Sequence, residues 1–224
     1  MPRIYCSHAL AINQNIAIEE DFHYLIHVHR LKTNDELICF NNQQEYLCKI
    51  TQVKKHFIIV ETIALIRTNP SQHPIRLVMS MIKSKRLKWV IEKAVEIGVC
   101  EILLAHTHRS QSYELPLDKL YSIAKQALQQ SHNMIMPNIE YISMQDLIKQ
   151  NYNMCILSPD GQHIMNLENN RELDTVFIGP EGGFTSFELS VSYPKLKLGN
   201  SILRSETAAI LAIHTLQYIS SYNN

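Results

Sequence analysis

The chain has 224 residues, 46% of them apolar, which suits one large domain or a small and a medium one with buried cores and excludes disorder by composition. Its 21 basic and 21 acidic residues cancel, which argues against a protein that coats nucleic acid without specificity but leaves room for a local basic face. Cys6, Cys39, Cys48, Cys100 and Cys155 form no CxxC pair and no zinc-ligand spacing, "MPRIYCSHAL" has no signal-peptide core, and no run reaches the ~18 apolar residues of a membrane span; the expectation is a cytoplasmic protein with reduced, buried cysteines, no metal and no membrane contact.

Residues 1–70 read as β-rich. "EEDFHYLIHVHRL" suits one helix, and "DELICF", "EYLCKITQV" and "FIIVETIALI" alternate and carry β-branched residues as strands do, with Asn41-Asn42 and "KKH" as turns between them. Short strands at this spacing predict a small barrel. "RTNPSQHP", residues 67–74, is polar with two prolines and predicts a linker, so the expected domains are 1–70 and 71–224.

After the linker the rhythm changes. "IRLVMSMI" is a buried-strand run. In "KSKRLKWVIEKAVEIG" the apolar Leu87, Val90, Ile91, Ala94 and Val95 lie on one helix face, with Gly98 where a C-cap belongs. "VCEILLAHT" predicts a strand and "DKLYSIAKQALQQSHN" a helix capped by Asp118. "NIEYI" and "NMCIL" predict strands, with a Ser143/Asp146 capping box between them. "TVFIG" predicts a strand, Thr185 and Glu188 a capping box for a helix after it, "KLKL" a strand, and "SETAAILAIHTLQYIS" a long helix with Ser205 as N-cap. Strands alternating with helices predict an α/β fold, a parallel sheet with helices on both faces.

Four of the six glycines lie between Gly179 and Gly199, in two loops, "IGPEGGFTSFE" and "LGNSILRSETA", that each follow a strand. Ligands of open parallel sheets bind beyond the carboxyl ends of strands, and glycine there lets the backbone approach them closely. Neither GxGxxG nor GxxxxGK[ST] is present, and Glu181 would repel phosphate but suit a cationic ligand.

The two loops closely resemble the paired signature of the RsmE-type ribosomal RNA uridine methyltransferases, a branch of the SPOUT superfamily. "MPRIY", "HRLKTNDEL", "KWVIEKAVEIGV" and "HRS" match the same family in order along nearly the whole chain. The resemblance implies a C-terminal trefoil-knotted SPOUT α/β domain preceded by a PUA-like β-barrel. It implies S-adenosyl-L-methionine as cofactor, a homodimer, and methylation of N3 of one uridine in small-subunit (16S) rRNA, within an assembled ribosomal particle. The loops alone leave open another RNA such as tRNA. "MPRIY" and the barrel favour the ribosomal branch, and the intact "LRSETA" argues against a non-catalytic assembly factor.

Carried over by the resemblance, Leu157, Ser158, Gly179, Glu181, Gly182, Leu198, Gly199, Ile202, Leu203 and Thr207 hold the cofactor, and a Cβ at Gly199 is expected to clash. Uridine N3 must lose its proton before it attacks. Arg204 is the candidate cation for the resulting uridine anion, and Glu206 the candidate base, with water and Glu181 as rivals. Arg3, Arg30, Lys32, Lys83, Arg86 and Arg109 are the candidate RNA contacts, with Arg3 reaching a partner subunit. Gln129, His132-Asn133 and Thr33-Asn34-Asp35 depart from the family's pattern.

Overall fold

In the computed structural model the described residues are 1–69, 74–166, 173–190 and 192–221. The chain divides into two compact units, Met1–Ser71 with Leu128–Met136, and Gln72–Ala127 with Pro137–Asn224. The linker expected at 67–74 falls partly on 70–73, outside the described residues.

The first unit holds a five-stranded sheet built from β1 (Arg3–Tyr5), β2 (Asn15–Ile18), β3 (Glu36–Phe40), β4 (Gln44–Val53) and β5 (Ile58–Thr68), in the order β1-β3-β4-β5-β2. Only β1–β3 is parallel. Three register shifts between β4 and β5 mark bulges, which bend a strand and raise its twist. Alternation puts Leu37, Cys39, Cys48, Ile50, Ile58 and Val60 into one core. The Asn41 side chain closes the β3–β4 turn by accepting the Gln43 and Gln44 amides at 2.9 and 2.8 Å.

The helix expected over 19–31 shrinks to one wide turn, Tyr24–Val28, closed by His29 N–H to the Tyr24 carbonyl at 3.0 Å. Leu25 is buried and Phe22, Ile26 and Leu31 pack on the core, but Arg30 adopts φ 56°, a left-handed conformation that stops a helix.

A buried charge cluster ties Leu128–Met136 to the strands of its unit. Arg3 Nε meets Glu45 Oε1 at 2.7 Å, with only 3% and 4% of the two side chains exposed. The same guanidinium donates to the Leu128 and Asn133 carbonyls at 3.2 and 3.3 Å and lies 4.2 Å over the Phe40 ring. Arg67 takes the other Glu45 oxygen and the His132 carbonyl.

The second unit holds a six-stranded, all-parallel sheet. Its elements are β6 (Arg76–Ser80), α1 (Ser84–Ile97), β7 (Glu101–His106), α2 (Leu117–Gln130, ending in the first unit), β8 (Asn138–Ser143), α3 (Met144–Lys149), β9 (Met154–His163), β10 (Thr175–Ile178), β11 (Lys195–Lys197) and α4 (Ser205–Ser221). The strand order is β11-β9-β10-β6-β7-β8. Val78, Leu103, Ile156 and Phe177 pack with Leu147 of α3, while α4 packs on α1, β6 and β10.

Gly98 caps α1 at φ 104°, the left-handed conformation its place in the sequence predicts, and Ser143 Oγ caps α3 by accepting the Asp146 amide at 3.1 Å. Three expectations are corrected. Asp118 sits in the first turn of α2, and the Pro116 carbonyl begins the helix by accepting the Lys119 amide. Ser205 is the first residue of α4, whose bonding starts at the Arg204 carbonyl. The Thr185/Glu188 box forms, but among the described residues the single turn Glu188–Ser190 follows it in place of the expected helix.

β9 runs six residues past the expected end at Leu157. Its added length pairs with β11, where the register jumps from Lys195↔Ile156 to Leu196↔Gln162. Gly161 makes this possible: a Cβ there would lie 2.6 Å from the β11 backbone at Lys195 and Leu196.

Candidate active site

Residues 157–160 within β9, the loops beyond the carboxyl ends of β10 and β11 and the first turn of α4 enclose a cavity of 480 Å³ in the second unit. This is where a parallel sheet binds ligands. Of the residues expected to hold a cofactor, Leu157, Ser158, Gly179, Glu181, Leu198, Gly199, Ile202 and Leu203 line it, and so does Arg204. Gly182, Thr207 and Glu206 do not. The residues not foreseen include Ile178, Phe184, Leu189 and Ala208 on the apolar side, and Asp160 and Lys197 on the charged side. Asp160 follows a proline in "SPDG", a turn signal past the expected strand end that marked it as a loop residue to consider.

The glycines serve different ends. A Cβ on Gly179 would lie 2.9 Å from the Phe184 ring, too close for the ring as it stands, and one on Gly182 3.3 Å from the exposed Arg109 side chain, which would have to give by a few tenths of an ångström. Gly183 holds φ +68°. At Gly199 a Cβ meets no atom within 4 Å, so the clash expected there is absent from the protein itself, and any cost would fall on a bound molecule.

The loop after β10 is fastened to the loop after β7. Glu188 is buried and accepts the Thr185 amide, the Thr185 hydroxyl and the His108 amide at 2.7, 2.8 and 2.7 Å. Burial pushes its pKa up, but these hydrogen bonds outweigh burial and hold it below the ordinary 4.5. Arg109 Nη1 donates to the Gly182 carbonyl at 2.9 Å. Phe184 stacks edge-on against the buried Phe177, centroids 4.8 Å apart.

Charges at the cavity are arranged unequally. Arg86, in the first turn of α1, meets Glu181 at 3.2 Å (Nη1–Oε1) and Glu206 at 3.4 Å (Nε–Oε1). Glu206 Oε2 is buried with no partner. Arg204 is exposed at the cavity, and among the described residues its guanidinium forms no ion pair; Asp160 and Lys197 form none either. A cavity with an apolar floor, an open place beside Gly199 and unpaired charges of both signs has the donor set for a nucleoside with a zwitterionic amino-acid tail.

The expected RNA contacts divide in two. Arg30, Lys32, Lys83 and Arg109 are exposed. Arg3 is buried on Glu45 within this chain. Arg86 is partly buried and meets two carboxylates. His106 bonds Glu114 at 2.7 Å. Among the described residues no group of three or more His, Cys, Asp or Glu is arranged to hold a metal ion, and no helix is long and apolar enough to cross a membrane.

An RNA methyltransferase domain model matches residues 69–217, and an RNA methyltransferase PUA domain model matches 18–63. Ribosomal RNA small subunit methyltransferase E of Rickettsia conorii is 32% identical over 98% of this chain and 96% of its own length. A methyltransferase of Legionella pneumophila, solved in complex with S-adenosylmethionine, superposes with a TM-score of 0.87 at 25% identity, covering 96% of each chain. The crystal structure of ribosomal RNA small subunit methyltransferase E from Neisseria gonorrhoeae, bound to S-adenosylmethionine, also superposes with a TM-score of 0.87, at 23% identity over 98% of each chain, and attests the fold.

Proposed function

The chain belongs to the RsmE-type family of ribosomal RNA methyltransferases, and from that premise we propose that it transfers a methyl group from S-adenosyl-L-methionine to N3 of a uridine in small-subunit rRNA. The observation that carries this reading is the 480 Å³ cavity beside β9 and the ends of β10 and β11, with its apolar floor and unpaired charges. When bound, the cofactor supplies an electrophilic methyl on a sulfonium. Leu157, Ile178, Leu198 and Leu203 would hold the adenosine by apolar contact, and Asp160 and Lys197 have the charges to meet the ammonium and carboxylate of the tail.

Arg204 would stabilise the uridine anion at O2 or O4, because it forms no ion pair among the described residues. Glu181 lines the cavity and Glu206 does not, which favours Glu181 as the nearer proton acceptor. N3 lies on the Watson–Crick edge, so the base must be unpaired or flipped out. Residues 1–70 would act as the PUA-like RNA-binding domain and 71–224 as the trefoil-knotted catalytic domain. Exposed Arg30, Lys32, Lys83 and Arg109 would contact phosphates. Zero net charge suits recognition of a folded ribosomal particle by shape, in the cytoplasm. A homodimer is supported by α4, which is apolar on most sides yet leaves Leu211 44% and Tyr218 48% exposed, with Ile202 just before it 86% exposed.

The test is incubation with methyl-labelled S-adenosylmethionine and small ribosomal subunits, followed by nuclease digestion. Label in 3-methyluridine supports the proposal; label in another nucleoside, or none, overturns it.

A further inference from the structure

Arg86 links three elements that the sequence keeps far apart: the first turn of α1, the glycine-rich loop after β10 and the first turn of α4. Both carboxylates it meets belong to segments that border the cavity. Glu181 lines the cavity, and Glu206 lies between Ser205 and Ala208, which also line it by way of the turn they share. The two acids lie within 3.4 Å of one guanidinium, so without that cation they would repel each other and part the two walls. Only 13% of the Glu206 side chain is exposed, and among the described residues its second oxygen has no partner and Arg86 is its one counter-charge. A planar guanidinium can present Nε to one carboxylate and Nη1 to the other at once; a lysine ammonium is a point charge and cannot match that fork.

We propose that Arg86 is a positioning residue of the methyl-transfer site, a clamp that holds the loop after β10 against the first turn of α4 and so keeps the cofactor cavity in its binding shape. The inference rests on the cofactor reading of the cavity. It also replaces the assignment of Arg86 to RNA, since the trio of Arg86, Glu181 and Glu206 carries a net charge of −1, which does not attract phosphate.

The experiment compares wild type with Arg86→Gln, Arg86→Lys and the reversed pair Arg86→Glu with Glu206→Arg. Affinity for S-adenosylhomocysteine is measured calorimetrically without RNA, and rRNA binding is measured across salt. Arg86→Gln is expected to weaken S-adenosylhomocysteine about tenfold, ~1.4 kcal/mol. Lysine should restore part of the affinity, a rescue that a general packing role would not give, and the reversed pair should restore less, because it leaves Glu181 without its counter-charge. The salt slope of rRNA binding should stay unchanged. Wild-type affinity in Arg86→Gln overturns the clamp, and so does a salt slope lowered by about one, the mark of a lost phosphate contact.

Wild-type protein that does not bind S-adenosylhomocysteine would refute the cofactor reading instead. The clamp is then decided by hydrogen exchange at the Gly183 amide, which bonds the Pro180 carbonyl at 2.9 Å. Faster exchange in Arg86→Gln supports the clamp, and unchanged exchange overturns it.

Discussion

Two glycine substitutions separate what the protein needs for its own packing from what the cavity needs for its ligand. At Gly161 the Cβ of alanine would sit 2.6 Å from the Lys195 carbonyl carbon and from the Leu196 amide nitrogen and carbonyl carbon. Ordinary contact between carbon atoms is ~3.5–4.0 Å, and all three neighbours are backbone, so no side-chain rotation relieves the clash. β11 must move outward by roughly 1 Å. That stretches the Ile156 N–H bond to the Pro194 carbonyl from its 2.9 Å towards the limit of hydrogen bonding and lifts the buried Leu196 from the core. Overpacking costs ~1–3 kcal/mol and each weakened hydrogen bond ~1 kcal/mol, so the second unit should lose about 3 kcal/mol. For a domain of this size that is a fall of about 6–12 °C in melting temperature, read by calorimetry as a shift of that unit's transition. Gly199→Ala places its Cβ in open space and should melt with wild type, while S-adenosylhomocysteine binds it more weakly. A Gly161→Ala protein that melts with wild type, or a Gly199→Ala protein that melts as low as Gly161→Ala should, would refute the reasoning.

Arg3→Met should destabilise the first unit by about 2–3 kcal/mol in urea titrations, below the ~3–5 of a fully broken buried pair because Arg67 still faces Glu45; the salt slope of RNA binding should not change. Glu188→Gln should lower stability at neutral pH. The folded carboxyl titrates below 4.5, so its stabilisation is present above that pH and is lost as pH falls through the lower folded value. Urea midpoints of wild type and Glu188→Gln should therefore converge in acid, and a constant gap would contradict the assignment. Arg204→Ala should cut turnover about 10²-fold or more while S-adenosylhomocysteine binds within a few-fold of wild type; equal losses in both would move Arg204 from catalysis to cofactor binding.

Local patterns carried much of the fold. The i, i+3, i+4 stripe of α1 ending at Gly98, the alternating strands β3 to β5 and the buried run of β6 each depend on neighbours within a few residues, so the chain itself records them. The site was legible where motif and position coincide, in the glycine-bearing loops after β10 and β11. It was not legible where a role depends on a remote partner. Asp160 and Lys197 are brought to one cavity by the pairing of β9 with β11, whose register jump no periodicity encodes. Arg3 and Arg86 have the same charge and looked equally suited to phosphate, yet one is buried on Glu45 and the other bridges Glu181 and Glu206.

By itself the sequence determined the class of the protein, strands β3 to β5, most of the strands and helices after residue 74 and the two loops that matter, because turn chemistry, capping and hydrophobic period are short-range. Tertiary structure alone decided which glycine faces protein and which faces open space, how far β9 extends, and which arginines keep a free charge. Those outcomes depend on atoms tens of residues away in sequence and a few ångströms away in space.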